Sequence, residues 1–401
     1  MSHPVTVAAE LILIEVFVLF VSGRRRLSPF FKFIPAVFWI YFLPMMASTA
    51  GILPAQSSVY PAASAYVLPA SLVLLFLGAD LPAIMKLGKN ALIMMFSGSL
   101  GIILGGPVTL LLFRRWLPED AWLGFGALSG SWVGGSANMV AAREILGTPD
   151  AVFLPMLVVD VVVSYSWMGL LILLAGFQKT FDRWNRSDFA LIGATAEQTR
   201  EPDITESGRR GSGSSRFPPF LDQNLCVGGL MILLAAGVTA IAMACSTFLP
   251  QTRGISGAAW TILITSIFAI LLSLTPLKKL ESYGASKIGY AMLYFVLTTM
   301  GARANLRDLG SVPVFILAGF VWVFFHFAFM LVMARLTRSP LALVATASQA
   351  NIGGPVSAPI VAAVYQPSLA PVGLLLGILG NLIGTYAAIL CAQLCRLAWC
   401  R

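Results

Sequence analysis

Charge is what this chain has least of. Only 11% of its 401 residues are Asp, Glu, Lys or Arg, against roughly 25% in a typical soluble domain, while 58% are hydrophobic. That balance excludes a soluble globular enzyme. Histidine is scarcer still: His3 and His326 are the whole supply, too few for a His-based metal centre. The five cysteines, Cys226, Cys245, Cys391, Cys395 and Cys400, include no Cys-x-x-Cys pair. They read as small buried apolar residues. Cys395 and Cys400 fall near a membrane edge, where lipidation would act. The N-terminus lacks a basic n-region, and its first apolar run is too long for a signal peptide, so it reads as a retained helix. The net charge of +9 falls between apolar runs, where it signals topology rather than nucleic-acid binding.

What the chain has is long apolar runs. They recur at the length needed to cross a hydrocarbon core about 30 Å thick, and about twelve can be marked. The expectation is an all-α, polytopic helical protein of the plasma membrane, with lipid around it and no resident cofactor. Residues 1–177 form a first transmembrane repeat and 223–401 a second. Between them, 178–222 is polar and charged, with Gly208-Arg209-Arg210-Gly211-Ser212-Gly213-Ser214-Ser215, a composition that reads as a flexible linker.

Two segments, 121–146 and 341–364, depart from the plain apolar pattern. The first carries Gly130-Ser131-Trp132-Val133-Gly134-Gly135-Ser136-Ala137-Asn138-Met139, the second Gln349-Ala350-Asn351-Ile352-Gly353-Gly354-Pro355. Paired glycines let the backbone leave helical geometry, and the freed polar groups are tolerated in hydrocarbon only inside protein or along a hydrated cavity. Each segment therefore reads as a broken spanning helix at a substrate or ion site. The breaks occupy corresponding places in the two halves. Leu77-Gly78-Ala79-Asp80-Leu81 is echoed in the same order by Met300-Gly301-Ala302-Arg303-Ala304-Asn305-Leu306, which argues for a duplicated six-helix unit.

Charge bias conflicts with a count of twelve. Arg24, Arg25, Arg26, Lys32, Lys86 and Lys89 place the loops after spans one and three inside. In the second half the basic loops precede spans seven, nine and eleven. Both cannot hold for twelve alternating spans. Opposite bias suits an inverted repeat, which needs an odd number of crossings per unit.

The ionisable residues singled out within spans are Glu10, Glu15, Asp160 and His326, with Asp80 at a span end. A carboxylate at the bilayer centre costs roughly 2.5–3.5 kcal/mol on insertion scales, so Asp160, among valines just after the first break, asks for a reason. It is the candidate for coupling to H⁺ or Na⁺, the other reading being a structural Asp bonded to a neighbouring helix. Ser136 and Asn138 offer neutral oxygens beside the first break, and Ser348, Gln349 and Asn351 beside the second. They could be ligands or packing groups. Asn381 holds the place in the second half that Asp160 holds in the first. Gly254-Ile255-Ser256-Gly257 together with His326 raises the rival reading of an intramembrane serine hydrolase, which would need Ser256 and His326 within hydrogen-bond reach. A non-transporting scaffold or receptor is a third reading.

The Gly-Ser-Trp-x-Gly-Gly-Ser-Ala-Asn stretch, with Val159-Asp160-Val161-Val162-Val163-Ser164-Tyr165-Ser166-Trp167-Met168-Gly169 after it, resembles the YjcL-like family of uncharacterised membrane proteins, similar at fold level to cation–proton antiporters and bile-acid–sodium symporters. The resemblance implies a panel domain, a core domain with two crossing broken helices at Gly134–Asn138 and Asn351–Pro355, Asp160 as the ion-binding acid, and a homodimer through the panel. The expected function is secondary transport of a small solute or ion, with Gly134, Gly135, Gly353 and Gly354 shaping the site and no enzymatic activity.

Overall fold

A computed structural model describes residues 3–24, 27, 30–31, 36–85, 87–187, 225–251, 256–304 and 312–400. Asn305, Gly254, Ile255 and all of the expected linker beyond residue 187 lie outside them. The linker's first residues are helical, as Gln178–Asn185. Every regular element among the described residues is a helix. The longer ones, in chain order, are α1 (Pro4–Ser22), α2 (Ala36–Thr49), α3 (Val59–Leu77), α4 (Lys89–Phe113), α5 (Ala121–Gly134), α6 (Ser136–Leu146) and α7 (Asp150–Leu174), which runs on into α8 (Gln178–Asn185). The second half gives α9 (Leu225–Ser246), α10 (Gly257–Ser273), α11 (Ala285–Arg303), α12 (Val312–Thr337), α13 (Leu341–Ile352), α14 (Gly354–Tyr365) and α15 (Ala370–Trp399).

Among the described residues seven helical runs are long and apolar enough to cross a bilayer, or eight if α10 is joined to the 3₁₀ helix Pro276–Tyr283, bent from it by 96°. Leu13, Phe17, Leu112, Leu233, Leu317 and Val332 all point outward. An apolar exterior of this kind is what acyl chains cover. The protein is a multi-pass, all-helical integral membrane protein.

The count of twelve spans is where the structure differs, because segments 121–146 and 341–364 do not run on through the bundle. After α5, Gly135 adopts φ 79°, and α6 returns along α5. Gly126 lies against Leu146, Gly130 against the Asn138 carbonyl, and Thr148 donates to the Leu123 carbonyl at 3.4 Å. A helix that ran on would separate residues 126 and 146 by roughly 30 Å. The second segment turns in the same way. Ser164 donates to the Ile352 carbonyl (3.1 Å) and Trp167 to Ser348 (3.0 Å), yet Tyr365 reaches Leu171, further along the same helix (2.6 Å). Each segment is a re-entrant hairpin. Its arms have 14 and 11 residues in one and 12 and 12 in the other, and the second arm of each returns toward the end from which the first entered. The crossing broken helices implied by the resemblance are thus replaced by hairpin tips.

The hairpins enter from opposite ends. The base of the first is tied to Asp150 by Arg143; the base of the second is tied to Asp182, which accepts from the Leu341 amide at 2.9 Å. Asp150 and Asp182 lie near the two ends of one 36-residue helical run. Removing the two hairpins from the count leaves an odd number of lengthwise helices in each half (α1, α2, α3, α4, α7 and α9, α10, α11, α12, α15). Helices in matching places then run oppositely. Gly98, Gly101 and Gly105 on α4 meet His326 and Trp322 on α12 in reverse order, and Gly289 on α11 meets Ser71, Leu74 and Leu75 while Glu281 before it meets Gly78.

The charge conflict disappears with this topology. Every described lysine (Lys89, Lys179, Lys278, Lys279, Lys287), together with Arg24, Arg183, Arg186, Arg335 and Arg338, sits at the end where the second hairpin enters, against Arg114, Arg115, Arg143, Arg303 and Arg396 at the other. By the positive-inside rule that end is cytoplasmic. In a cysteine-free background, Glu119→Cys and Pro149→Cys should react with an impermeant maleimide from one face, and Arg338→Cys and Ser368→Cys from the other. Spanning segments would split each pair between the two faces.

Packing sorts the helices into two groups. α1, α2 and α3 pack with α9, α10 and α11, while α4, α7, α12 and α15 enclose the hairpins.

Candidate functional site

The hairpin tips meet about halfway along α15, on a face built from glycine. Gly384 lies against Gly134, Gly380 against the Val133 carbonyl, and Gly377 against Pro355 and Gly354. Any larger side chain there would hold the tips off, since the facing atoms are mostly backbone. Two asparagines lock the tips in place. Asn138 donates to the carbonyls of Gly134 (2.5 Å) and Asn381 (3.0 Å) and accepts from Thr385 (2.5 Å). Asn351 donates to the Met95 and Ala347 carbonyls (3.2 and 3.0 Å) and accepts from Ser99 (2.8 Å). Both are buried and line neither cavity described next. They fasten the hairpins to α15 and α4 rather than offering free oxygens.

Two cavities share the tips as a common wall. The larger, about 520 Å³, lies on the seam between the two helix groups. One side is Val37, Leu75, Gly78, Glu281, Tyr290 and Tyr294; the other includes Gly134, Gly135, Ser136, Gly353, Gly354 and Asn381. Glu281 there accepts from the Ser286 amide (3.0 Å) and hydroxyl (2.5 Å). The smaller cavity, about 170 Å³, runs from the tips to Asp160 and includes Ser131, Ser136, Ser164, Gln349, Gly353 and Ser357 in its lining. Asp160, half-buried on α7, accepts from Ser131 at 2.9 Å. Gln349 is 1% exposed and donates to Ser357 at 2.8 Å, while its Oε1 has no partner.

Of the residues singled out from sequence, Asp160, Gly135, Ser136, Gln349 and Gly353 therefore converge on the small cavity, and Gly134, Gly354 and Asn381 on the large one. Sequence reading missed the serines Ser131, Ser164 and Ser357, and it missed Glu281. It also missed the glycine face, although Gly373, Gly377, Gly380 and Gly384 recur at helical spacing and were legible as such.

The serine–histidine pair is not assembled. Ser256 caps α10, accepting from the Ala259 amide at 3.1 Å. His326 is fully buried, with Nδ1 on the Gly98 carbonyl (2.8 Å) and Nε2 on Ser348 (3.0 Å). Its ring joins α12 to α4 and to the second hairpin. Among the described residues no group of three or more His, Cys, Asp or Glu side chains could hold a metal ion.

Two re-entrant hairpins, entering from opposite ends and meeting beside a carboxylate, place the chain among multi-pass helical membrane proteins with polar groups at their centre. The particular family follows from comparison with known proteins. The chain matches the family described as "Protein of unknown function (DUF819)" over residues 10–397, and it belongs to that family. It is 25% identical over 351 residues, 85% of each chain, to the Uncharacterized membrane protein YjcL of Bacillus subtilis (strain 168).

Proposed function

We propose that this protein is a secondary active transporter that moves a small solute or ion by alternating access, coupled to Na⁺ or H⁺ through Asp160. The observation that carries the reading is the meeting of the two tips over cavities on the seam between the helix groups. Each hairpin closes the centre from one end, so a solute there is sealed from both sides by short protein segments. Relative movement of the two groups along the seam would open the large cavity first to one face and then to the other. In this reading the group holding the hairpins is the core, the other is the panel, and the two halves are an inverted duplication.

Asp160 suits coupling because an ionised carboxylate in a small cavity at membrane depth is unstable without a cation. Site occupancy and conformational preference are then linked: the carboxylate is neutralised when the cation is bound, and the loaded and empty forms differ in the energy of crossing hydrocarbon.

The test is purified protein in liposomes under an imposed Na⁺ or H⁺ gradient. The wild type should dissipate one of them, and Asp160→Asn should reduce that flux to the level of empty liposomes. Ser256→Ala should match the wild type. Equal flux from wild type and Asp160→Asn would remove Asp160 from the mechanism, and no flux under either gradient from folded protein would count against the transport reading.

A further inference from the structure

The bases of the two hairpins are fastened differently. At the first, Arg143 is buried and finds its anion in Asp150. At the second, the cations lie on the surface. α7 and α8 form one run of 36 residues, roughly 54 Å long, which exceeds a hydrocarbon core about 30 Å thick. Its last turns therefore stand in the headgroup layer. There α8 buries Asp182 and Asn185 and leaves Lys179, Arg183, Trp184 and Arg186 exposed.

Hydrogen bonds stitch this helix end to the turn between α12 and α13. Asn185 donates to the carbonyls of Ala334 (3.3 Å) and Ser339 (2.9 Å). Arg335 donates to the carbonyls of Trp184 (3.1 Å) and Asn185 (3.0 Å), with its guanidinium 5.1 Å from the centre of the Trp184 ring. Arg186 and Arg338 follow the last residues of α8 and α12, both in left-handed backbone (φ 54° and 53°). The result is one corner with Lys179, Arg183, Arg186, Arg335 and Arg338 exposed. On α8 and in the turn after α12 the one carboxylate is Asp182. It is 3% exposed, and its Oδ1 accepts from the Leu341 amide and the Ser187 hydroxyl (2.9 Å each). Among the described residues none of the five cations pairs with a carboxylate.

An apolar strip adjoins the corner. Leu173 and Phe177 near the end of α7 are exposed, as are Val332 and Leu336 near the end of α12. Trp184, also exposed, is a residue type that settles where hydrocarbon meets headgroups.

From this geometry we infer that the corner formed by α8 and the end of α12 binds the phosphate of an anionic phospholipid of the cytoplasmic leaflet. A guanidinium presents paired N–H donors that match phosphate oxygens, and basic recesses between helix ends on the cytoplasmic side hold such headgroups. A free phosphate would satisfy the cations alone, whereas a lipid uses the apolar strip as well. Arg338 immediately precedes Ser339, whose carbonyl holds Asn185. A bound headgroup would therefore give the base of the second hairpin the anion that Asp150 gives the first. The inference does not depend on transport.

The experiment is thermal melting of the full-length protein in detergent micelles carrying increasing phosphatidylglycerol or, at equal mole fraction, phosphatidylcholine. A ligand that binds only the folded state raises the melting temperature saturably. Phosphatidylglycerol should do so in the wild type, and phosphatidylcholine should not. Arg186→Gly with Arg338→Gly removes two charges where glycine suits the backbone, so this variant should melt near the parent without lipid. It should need roughly tenfold more phosphatidylglycerol for half the effect. Lys279→Gln with Lys287→Gln removes the same charge from exposed positions beside and on α11 and should respond as wild type. Arg183→Gln should weaken the response by itself, and it decides the matter if the glycine pair melts early. Equal stabilisation of the wild type by both lipids overturns the site, as does an undiminished response in the glycine pair. Equal weakening in the Lys279 and Lys287 variant would also overturn it, leaving only net charge. A response to inorganic phosphate that matches phosphatidylglycerol would replace the lipid with a free anion.

Discussion

Gly384→Ala and Gly377→Ala should each dislodge one hairpin tip, whereas Gly169→Ala should leave the protein as stable as the parent or slightly more so. The three substitutions add the same methyl group to a helix, so propensity favours each by about 0.5–1 kcal/mol. What differs is the space. A Cβ at Gly384 would come within 2.6 Å of Gly134 Cα and 2.8 Å of Asn138 Cγ; one at Gly377 would come within 2.5 Å of Pro355 N; one at Gly169 would meet nothing within 4 Å. Overpacking typically costs about 1–3 kcal/mol when side chains can give way. Here the facing atoms are mainly the backbone of a tight turn, which cannot rotate aside. The expected net loss is about 2 kcal/mol or more at each site, read as a lower melting temperature in detergent.

Location is the sharper part of this prediction. Gly384→Ala presses on the first tip, so a cysteine at Ala137, 8% exposed in the parent, should become reactive in that variant and remain protected with Gly377→Ala. Should both variants melt with the parent, the glycine face would not be what seats the tips.

The fold class was legible because hydrophobic length is written directly into the sequence. The two glycine-rich breaks were legible too, since Gly134-Gly135 and Gly353-Gly354 interrupt otherwise apolar helices, while their meeting was implied only by the family resemblance. The path through each break was not. A bent helix and a hairpin need the same glycines, and only contacts such as Gly126 against Leu146 or Tyr365 against Leu171 distinguish them. The charge bias already contained the answer, since it demanded an odd number of crossings per half, and hairpins supply that number without an extra helix.

The candidate site was read unevenly for a similar reason. Asp160 stood out because an acid among valines is costly in hydrocarbon. Asn138 and Asn351 stood out equally, but a side-chain amide in a membrane can be a ligand or a fastener, and residue type does not separate the two. Gln349 had the same ambiguity, resolved differently: its amide nitrogen is committed and its oxygen is not.

Arg143→Met should unfasten the base of the first hairpin, and adding Asp150→Asn should restore much of the loss. Arg143 is 3% exposed, pairs with Glu144 at 3.2 Å and with Asp150, and lies over the Phe153 ring at 4.9 Å. Removing one partner of a buried pair typically costs about 3–5 kcal/mol, because the other charge is left uncompensated. Asp150 and Glu144 are each 21% exposed, so water relieves part of that penalty and about 3 kcal/mol is expected. Methionine preserves much of the packing volume, so the loss would report charge rather than a cavity. Neutralising Asp150 in the same chain removes one of the two stranded carboxylates, Glu144 being the other, and partial recovery of the melting temperature in the double variant would identify the ion pair as the cause. If Arg143→Met melts with the parent, the pair does not hold the base. The contrast with the tip matters for movement. Charge fixes the base, whereas the tip rests on close contacts with α15 and a small hydrogen-bond set around Asn138. A hairpin held in this way can shift at its tip while its base stays in place, and the tip is the part that faces both cavities.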